Sequence, residues 1–157
     1  AQSTFDKTVG KIGPLGGCLY PADGCDMLFT KDWTAKLIFT CPPYHQLERY
    51  ESAPGQLSDI KDYSEFLGKI FDCARNCYRV LDLGGFACFV VADWRDGKAF
   101  RLFHVDTLKA FEAVGFKVWD IVIIKNHSPF THLQAGKVAA NRYTSKTHEY
   151  LLVFRKA

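Results

Sequence analysis

The sequence lacks the features that mark several large classes of protein. No apolar stretch approaches the roughly 20 residues that a membrane-spanning helix needs, and no internal repeat or low-complexity tract is present. The chain also lacks a large excess of either charge: 20 Lys and Arg against 17 Asp and Glu give the 157 residues a net charge of +3. This balance permits a nucleic-acid partner without requiring one. With 48% hydrophobic residues the chain can bury one sizeable core. We therefore expect a single folded domain and no membrane partner.

Paired metal-binding cysteines are missing as well. The chain has six cysteines but no Cys-x-x-Cys pair, which disfavours a zinc site built from Cys18, Cys25 and histidines. Disulfides are also disfavoured, because Cys73 and Cys77 lie one turn apart in a helical pattern and Cys88 lies in a strand-like run. No signal peptide begins the chain. We expect no metal, reduced and mostly buried thiols, and a cytoplasmic location.

The hydrophobic pattern divides the chain into two parts. Residues 1–34 show weak periodicity and are interpreted as an irregular N-terminal arm, whereas residues 35–157 form the predicted α/β domain. Within this domain the pattern predicts strands at 37–40, 86–92, 116–124 and 149–154, and helices at 62–81 and 105–114. This alternation predicts a mostly parallel sheet with an antiparallel last strand.

Local signals support these boundaries. Asp62 and Glu65 form a capping-box pattern at the first helix, and Gly115 follows the second helix as a C-cap. The strand at 86–92 is apolar throughout, which is typical of a parallel strand covered on both faces.

One tetrapeptide carries most of the chemical information: Cys41-Pro42-Pro43-Tyr44, directly after the first predicted strand. Neither proline has an N–H, so the turn is stiff, rich in carbonyl acceptors and poor in competing donors. It suits a planar group that bears an NH2, with Tyr44 stacking on its ring. Two such acceptors bind the hydrogens of the amine, so that the nitrogen lone pair leaves conjugation with the ring. The lone pair is then free to attack an electrophilic methyl group. The alternative is a Pro-Pro pair that serves only as a turn.

Residues 37–154 resemble the catalytic half of S-adenosylmethionine-dependent DNA amino-methyltransferases, which make N6-methyladenine or N4-methylcytosine, and phage-encoded examples look closest. The loop of that family is (Asp/Asn/Ser)-Pro-Pro-(Tyr/Trp), and residues 41–44 match it apart from the first position. The stretches 78–86, 89–96 and 147–154 are similar to the family's next helix end, glycine turn and strands. The resemblance implies a Rossmann-like methyltransferase sheet, S-adenosylmethionine as methyl donor and DNA as partner. It also implies that the catalytic residues are Cys41, Pro42, Pro43 and Tyr44.

Two features depart from the family pattern. Cys41 offers only a weak sulfur acceptor where the family has an oxygen. The family also binds its cofactor with a Phe-x-Gly-x-Gly loop, and no such sequence occurs here. The glycines of residues 10–17 follow no strand pattern and are interpreted as a flexible segment. The cofactor half is therefore not recognisable, and a second subunit or segment is expected to supply it.

Two other functions remain open. A non-catalytic relative would keep the sheet as a binding or assembly subunit without the cofactor half. Cytosine C5 methylation would use Cys41 as a nucleophile, but there the proline precedes the cysteine, whereas here it follows. No base partner for a nucleophilic Cys41 is evident in the sequence.

Ligands of open α/β sheets bind beyond the carboxyl ends of the parallel strands. Three loops should gather there, at 41–44, at 93–96 and from Lys125 onward. The connection 125–147 is long and contains no Asp or Glu, which suits phosphate contact, although a solvated excursion remains the alternative. The predicted nucleic-acid-binding residues are Lys125, Lys137, Arg142 and Lys146.

The remaining polar and aromatic residues are assigned structural roles. Arg95 is expected to pair with Asp93 or Asp96, and a contact with the substrate is the alternative. Three histidines are expected at the surface or in hydrogen bonds: His127, His132 and His148. Three aromatic residues are expected to pack in the interior: Tyr50, Trp94 and Trp119.

Overall fold

The computed structural model describes residues 25, 34–45, 55–97, 99–126, 136, 140, 142, 144 and 146–157. The predicted N-terminal arm therefore lies outside the described residues, except for positions 25 and 34. Lys137, His127, His132 and Tyr50 also lie outside them.

Two helices and six strands are described along the chain. In chain order they are β1 (Ala35–Thr40), a 3₁₀ turn (Leu57–Asp59), α1 (Tyr63–Val80), β2 (Leu81–Val91), β3 (Trp94–Asp96), β4 (Ala99–Arg101), α2 (Phe103–Val114), β5 (Phe116–Lys125) and β6 (His148–Lys156).

Four of these strands form the main sheet, in the spatial order β1-β2-β6-β5. Strands β1 and β2 are parallel, whereas β6 runs antiparallel to both of its neighbours. Strands β1, β2 and β5 therefore share one direction and β6 opposes them. The predicted α/β sheet with an antiparallel last strand is confirmed.

The start of the first helix and the end of the second lie where their capping signals predict. The Asp62 carboxylate accepts the Glu65 N–H at 2.9 Å and caps the start of α1. Helix α2 ends at Val114, and Gly115 follows in the left-handed conformation with φ 112°. No helix of the described chain is long and apolar enough to cross a membrane.

Aromatic side chains fill the core between the helices and one face of the sheet. Phe111 of α2 stacks on Phe154 of β6 at 4.1 Å and meets Phe89 of β2 at 4.6 Å. Phe66 of α1 contacts Phe103 of α2 at 5.5 Å, so the two helices lie side by side on that face. These five phenylalanines are fully buried.

The opposite face of the sheet is open in the part of the chain that the structure describes. Leu37 and Phe39 of β1 are 59% and 65% exposed, and Leu83 of β2 is 78% exposed. Within the strand predicted at 86–92, Ala87, Phe89 and Val91 are buried against the helices, whereas Phe86, Cys88 and Val90 on the other face are half-buried. The predicted cover on both faces is therefore only partial among the described residues. Both crossovers, from β1 through α1 to β2 and from β2 through α2 to β5, advance from β1 toward β5. Because right-handed crossovers that advance in one direction place their helices on the same side of a sheet, both helices cover one face.

Strand β2 begins earlier than predicted, directly after the last residue of α1. The predicted glycine turn is instead part of the strand. Gly84 has φ 80°, and a Cβ on Gly85 would lie 2.9 Å from the Asp82 carbonyl oxygen and 3.1 Å from that of Lys36. These glycines allow an irregular stretch of β2 to lie close to the backbone of β1.

A short hairpin replaces the loop predicted at 93–96. Strands β3 and β4 pair antiparallel, with Arg95 opposite Phe100, and Gly97 between them has φ 58°. The hairpin projects from the carboxyl end of β2, at the edge of the sheet where ligands were predicted to bind.

Candidate functional site

The proline loop leaves the carboxyl end of β1. Cys41 is exposed, Pro42 is buried and Pro43 is half-buried. Tyr44 is only 9% exposed. The start of the loop therefore faces solvent, and its aromatic end faces the interior.

Tyr44 packs between two elements of the ligand edge. Its ring meets Trp94 of β3 at 6.3 Å and Phe103 of α2 at 6.4 Å, both in edge-to-face geometry. Its hydroxyl donates a long hydrogen bond of 3.5 Å to Glu149 Oε1. A base that stacks on Tyr44 therefore requires this side chain to turn outward from the conformation described.

A buried carboxylate joins the end of β2 to the start of α2. Asp93, 6% exposed, accepts from the backbone N–H of His104 at 3.1 Å and from its Nδ1 at 2.7 Å with the same oxygen. The His104 ring stacks on Tyr150 of β6 at 4.2 Å. Burial, with a contribution from the charge of Asp93, raises the pKa of the Tyr150 phenol.

Two cations lie over one aromatic ring next to this carboxylate. The Arg95 guanidinium carbon is 5.2 Å from the ring centre of Phe100, and the Lys146 Nζ is 4.4 Å from it. Partial burial lowers the pKa of Lys146, the charge of Asp93 opposes that shift, and the charge of Arg95 adds to it. The end of β2, the β3–β4 hairpin and the start of β6 therefore meet at one edge of the sheet.

The model of a DNA methylase family of N6 and N4 type matches residues 35–157. This chain belongs to that DNA methylase family. The type II methyltransferase M.MthZI of Methanothermobacter thermautotrophicus is 26% identical over 156 residues, covering 88% of this chain and 44% of that protein. The type II methyltransferase M.MjaI of Methanocaldococcus jannaschii is 27% identical over 154 residues, covering 80% of this chain and 51% of that protein.

A solved structure has the same fold. The putative DNA modification methylase from Thermus thermophilus, complexed with S-adenosyl-L-methionine, aligns with a TM-score of 0.60 and 27% identity, covering 86% of this chain and 53% of that one. This chain thus spans about half the length of these relatives.

The methylase chain brings several predicted site residues together. Lys125 at the end of β5 lies opposite His148 at the start of β6. Lys146 lies two residues before His148 in the sequence. Arg142 is exposed, with φ 51°. The predicted nucleic-acid role of these residues remains a prediction, and Lys137 lies outside the described residues.

The two aspartates predicted to pair with Arg95 form other contacts, and their pairing with Arg95 remains a prediction. Asp96 forms a 3.0 Å ion pair with Arg101, and Asp93 holds His104. His148 lies 3.1 Å from the Tyr150 hydroxyl, which confirms the predicted hydrogen-bonded role.

Of the predicted packing aromatics, Trp94 is 6% exposed, as expected, but Trp119 is 57% exposed. Trp119 lies on the open face, against Phe86 and 4.8 Å from the Arg155 guanidinium.

Three residues of the edge were missed by sequence reasoning: Phe100, His104 and Glu149. Glu149 meets Tyr44 over 105 positions and His104 meets Asp93 over 11, whereas Phe100 lies opposite Arg95 within one hairpin. Among local signals, only the Asp96-Gly97 dipeptide, which favours a hairpin turn, indicated that Phe100 would lie in a hairpin.

No Phe-x-Gly-x-Gly sequence occurs among the described residues. The described pair of adjacent glycines, Gly84 and Gly85, lies inside β2 and shapes its contact with β1. The glycines of residues 10–17 lie outside the described part. Within that part, no group of three or more His, Cys, Asp or Glu side chains is arranged to hold a metal.

Proposed function

We propose that this chain is the base-binding half of a DNA amino-methyltransferase that methylates the exocyclic amine of adenine or cytosine. The position of the proline loop carries the proposal, because it leaves the carboxyl end of β1 with Cys41 exposed. Membership of the methylase family over residues 35–157 supports it. The base has to leave the duplex, since pairing buries its amine.

The loop supplies acceptors for that amine. Pro42 and Pro43 have carbonyl oxygens but no N–H, so no donor of theirs competes for the loop carbonyls. Because the Cys41 sulfur is a weak acceptor, we assign the acceptor role to backbone carbonyls of the loop. A purely structural turn would bury the thiol, and the exposure of Cys41 is against that alternative.

S-adenosylmethionine is the methyl donor in this proposal, and another segment or subunit holds it. The Thermus relative was solved with this compound and is about twice as long as the aligned region. The absence of a Phe-x-Gly-x-Gly loop from the sequence is consistent with this division.

Strand β1 offers the place where such a segment would continue the sheet. Among the described residues β1 pairs only with β2, so it lies at the edge of the sheet. The two strands are parallel. Parallel sheets are normally covered on both faces by helices. The exposed Leu37, Phe39 and Leu83 therefore form an apolar surface suited to the cofactor-binding segment, which we assign as its occupant.

The Arg155 side chain adds a polar contact to this surface. Its Nε is buried and has no hydrogen-bond partner among the described residues. Arg155 lies opposite Phe86, on the face that α1 and α2 leave open. An acceptor from the cofactor-binding segment would satisfy this donor.

We place the protein in the cytoplasm with DNA as its partner. Five described cysteines are present as thiols, which suits a reducing compartment: Cys25, Cys41, Cys73, Cys77 and Cys88. The rival function is a non-catalytic subunit, favoured only by the missing cofactor loop.

Two substitutions of one exposed residue test the proposal. Cys41→Asp restores the acceptor of the family loop and should keep or raise methyl transfer. Cys41→Lys places an ammonium donor beside the loop carbonyls, where it competes with the target amine for them, and should abolish transfer. Both variants should keep the wild-type melting temperature, because the side chain is exposed.

Labelled methyl incorporation into DNA is measured with the cofactor-binding segment present. Equal transfer by wild type, Cys41→Asp and Cys41→Lys would contradict the role of the loop. Absence of transfer in all three would favour the non-catalytic rival.

A further inference from the structure

Arg95, Phe100 and Lys146 form a compact group that we call the basic platform. Arg95 and Phe100 face each other across β3 and β4, whereas Lys146 comes from just before β6. Both cations lie within 5.2 Å of the centre of the Phe100 ring. All three residues are exposed, Phe100 by 44%.

Holding two like charges over one ring has an electrostatic cost. Partial desolvation lowers the pKa of Lys146, the nearby charge of Asp93 opposes that shift, and the charge of Arg95 adds to it because the two cations repel each other. An exposed cation–π contact contributes little stabilisation to offset that repulsion. The arrangement is complementary to an anion, which would bind both cations and remove their repulsion.

The basic platform adjoins the proline loop. Trp94 contacts the ring of Tyr44, and Arg95 is the next residue along β3. Successive strand residues point to opposite sides, so Trp94 is buried toward the loop while Arg95 faces solvent. The platform therefore lies on the solvent side of β3, one residue along the strand from the side chain that contacts the loop.

We infer that the basic platform binds a phosphodiester of the DNA strand that carries the target base. The Arg95 guanidinium is suited to two phosphate oxygens at once and Lys146 to a point contact, while Phe100 positions both cations. Such a contact holds the strand in place while the base leaves the stack. This inference rests on the proposed function.

Fluorescence anisotropy of a labelled DNA duplex over a salt series tests the platform. Arg95→Ala and Lys146→Ala should each reduce the slope of log affinity against log salt by about one, which corresponds to about a tenfold loss near 0.1 M salt. The matched controls are Arg75→Ala and Lys109→Ala, two exposed cations on the helices. They should leave the slope unchanged.

Phe100 is tested by a pair of substitutions. Phe100→Leu removes the ring that both cations contact and should weaken binding by about two- to fivefold. Phe100→Tyr keeps a ring and should bind like wild type.

The outcomes separate the platform from the proposed function. Wild-type slopes in Arg95→Ala and Lys146→Ala, with methyl transfer intact, would overturn the platform alone. Equal losses in the platform variants and the helix controls would also overturn it, since binding would then be diffuse. A wild-type protein that binds no DNA, with or without the cofactor-binding segment, would overturn both proposals.

Discussion

Asp93 is the residue on which the geometry of the ligand edge depends most directly. Its buried carboxylate accepts both the backbone N–H and the Nδ1–H of His104. Asp93→Ala leaves those donors unpaired and should lower the free energy of unfolding by about 1–3 kcal/mol. Urea denaturation measures this loss.

The matched control is Asp72→Ala, which removes an exposed ion pair with Arg75. Such pairs contribute at most about 1 kcal/mol, so the control should lie near wild type. A loss at Asp93 no larger than the loss at Asp72 would show that the carboxylate does not hold α2.

Tyr63 provides a residue-scale test by pH. Burial, and then its 2.8 Å hydrogen bond to Asp106, raises the pKa of the Tyr63 phenol above its ordinary value of 10.0. The unfolded chain then ionises first, so this contribution is complete below about pH 10 and is lost as pH rises further. Alkaline denaturation of wild type should therefore be steeper than that of Tyr63→Phe. Identical stability profiles above pH 10 would contradict the shift.

Elements with local signals could be predicted from the sequence, and elements set by distant contacts could not. Asp62 and Gly115 fix the ends of α1 and α2 through contacts within a few residues. Strands β3 and β4 have three residues each, too few for a period of two to be recognised. The proline loop was predictable because four adjacent residues define it, whereas Glu149 reaches it from the other end of the domain.

Two glycines test the account of these elements. A Cβ on Gly85 of β2 would meet backbone oxygens at 2.9 and 3.1 Å, whereas a Cβ on Gly68 of α1 meets nothing within 4 Å. Gly85→Ala should cost about 1–3 kcal/mol through overpacking. Gly68→Ala should stabilise the chain by about 0.5–1 kcal/mol, because alanine is the better helix former. Chemical denaturation of both variants checks the opposite signs, and a shared sign would contradict the packing described.

On the scale of the whole molecule, the open face of the sheet is the surface that we propose the cofactor-binding segment covers. Phe39 is 65% exposed, so Phe39→Ser should change the stability of this chain alone by less than about 0.5 kcal/mol. With the cofactor-binding segment in place, the same change should cost about 3 kcal/mol, as at a buried aromatic. Melting curves in both states measure the difference, and equal costs would exclude this face as the docking surface.

The central claim is that this chain presents the base while another segment holds the cofactor. The most direct measurement follows methyl transfer from labelled S-adenosylmethionine to DNA, with the products identified by mass spectrometry of the nucleosides. The chain alone should give no product, and the chain joined to the cofactor-binding segment should give N6-methyladenine or N4-methylcytosine. Amine methylation by the chain alone, methylation at cytosine C5, or no product from the joined protein would contradict the account.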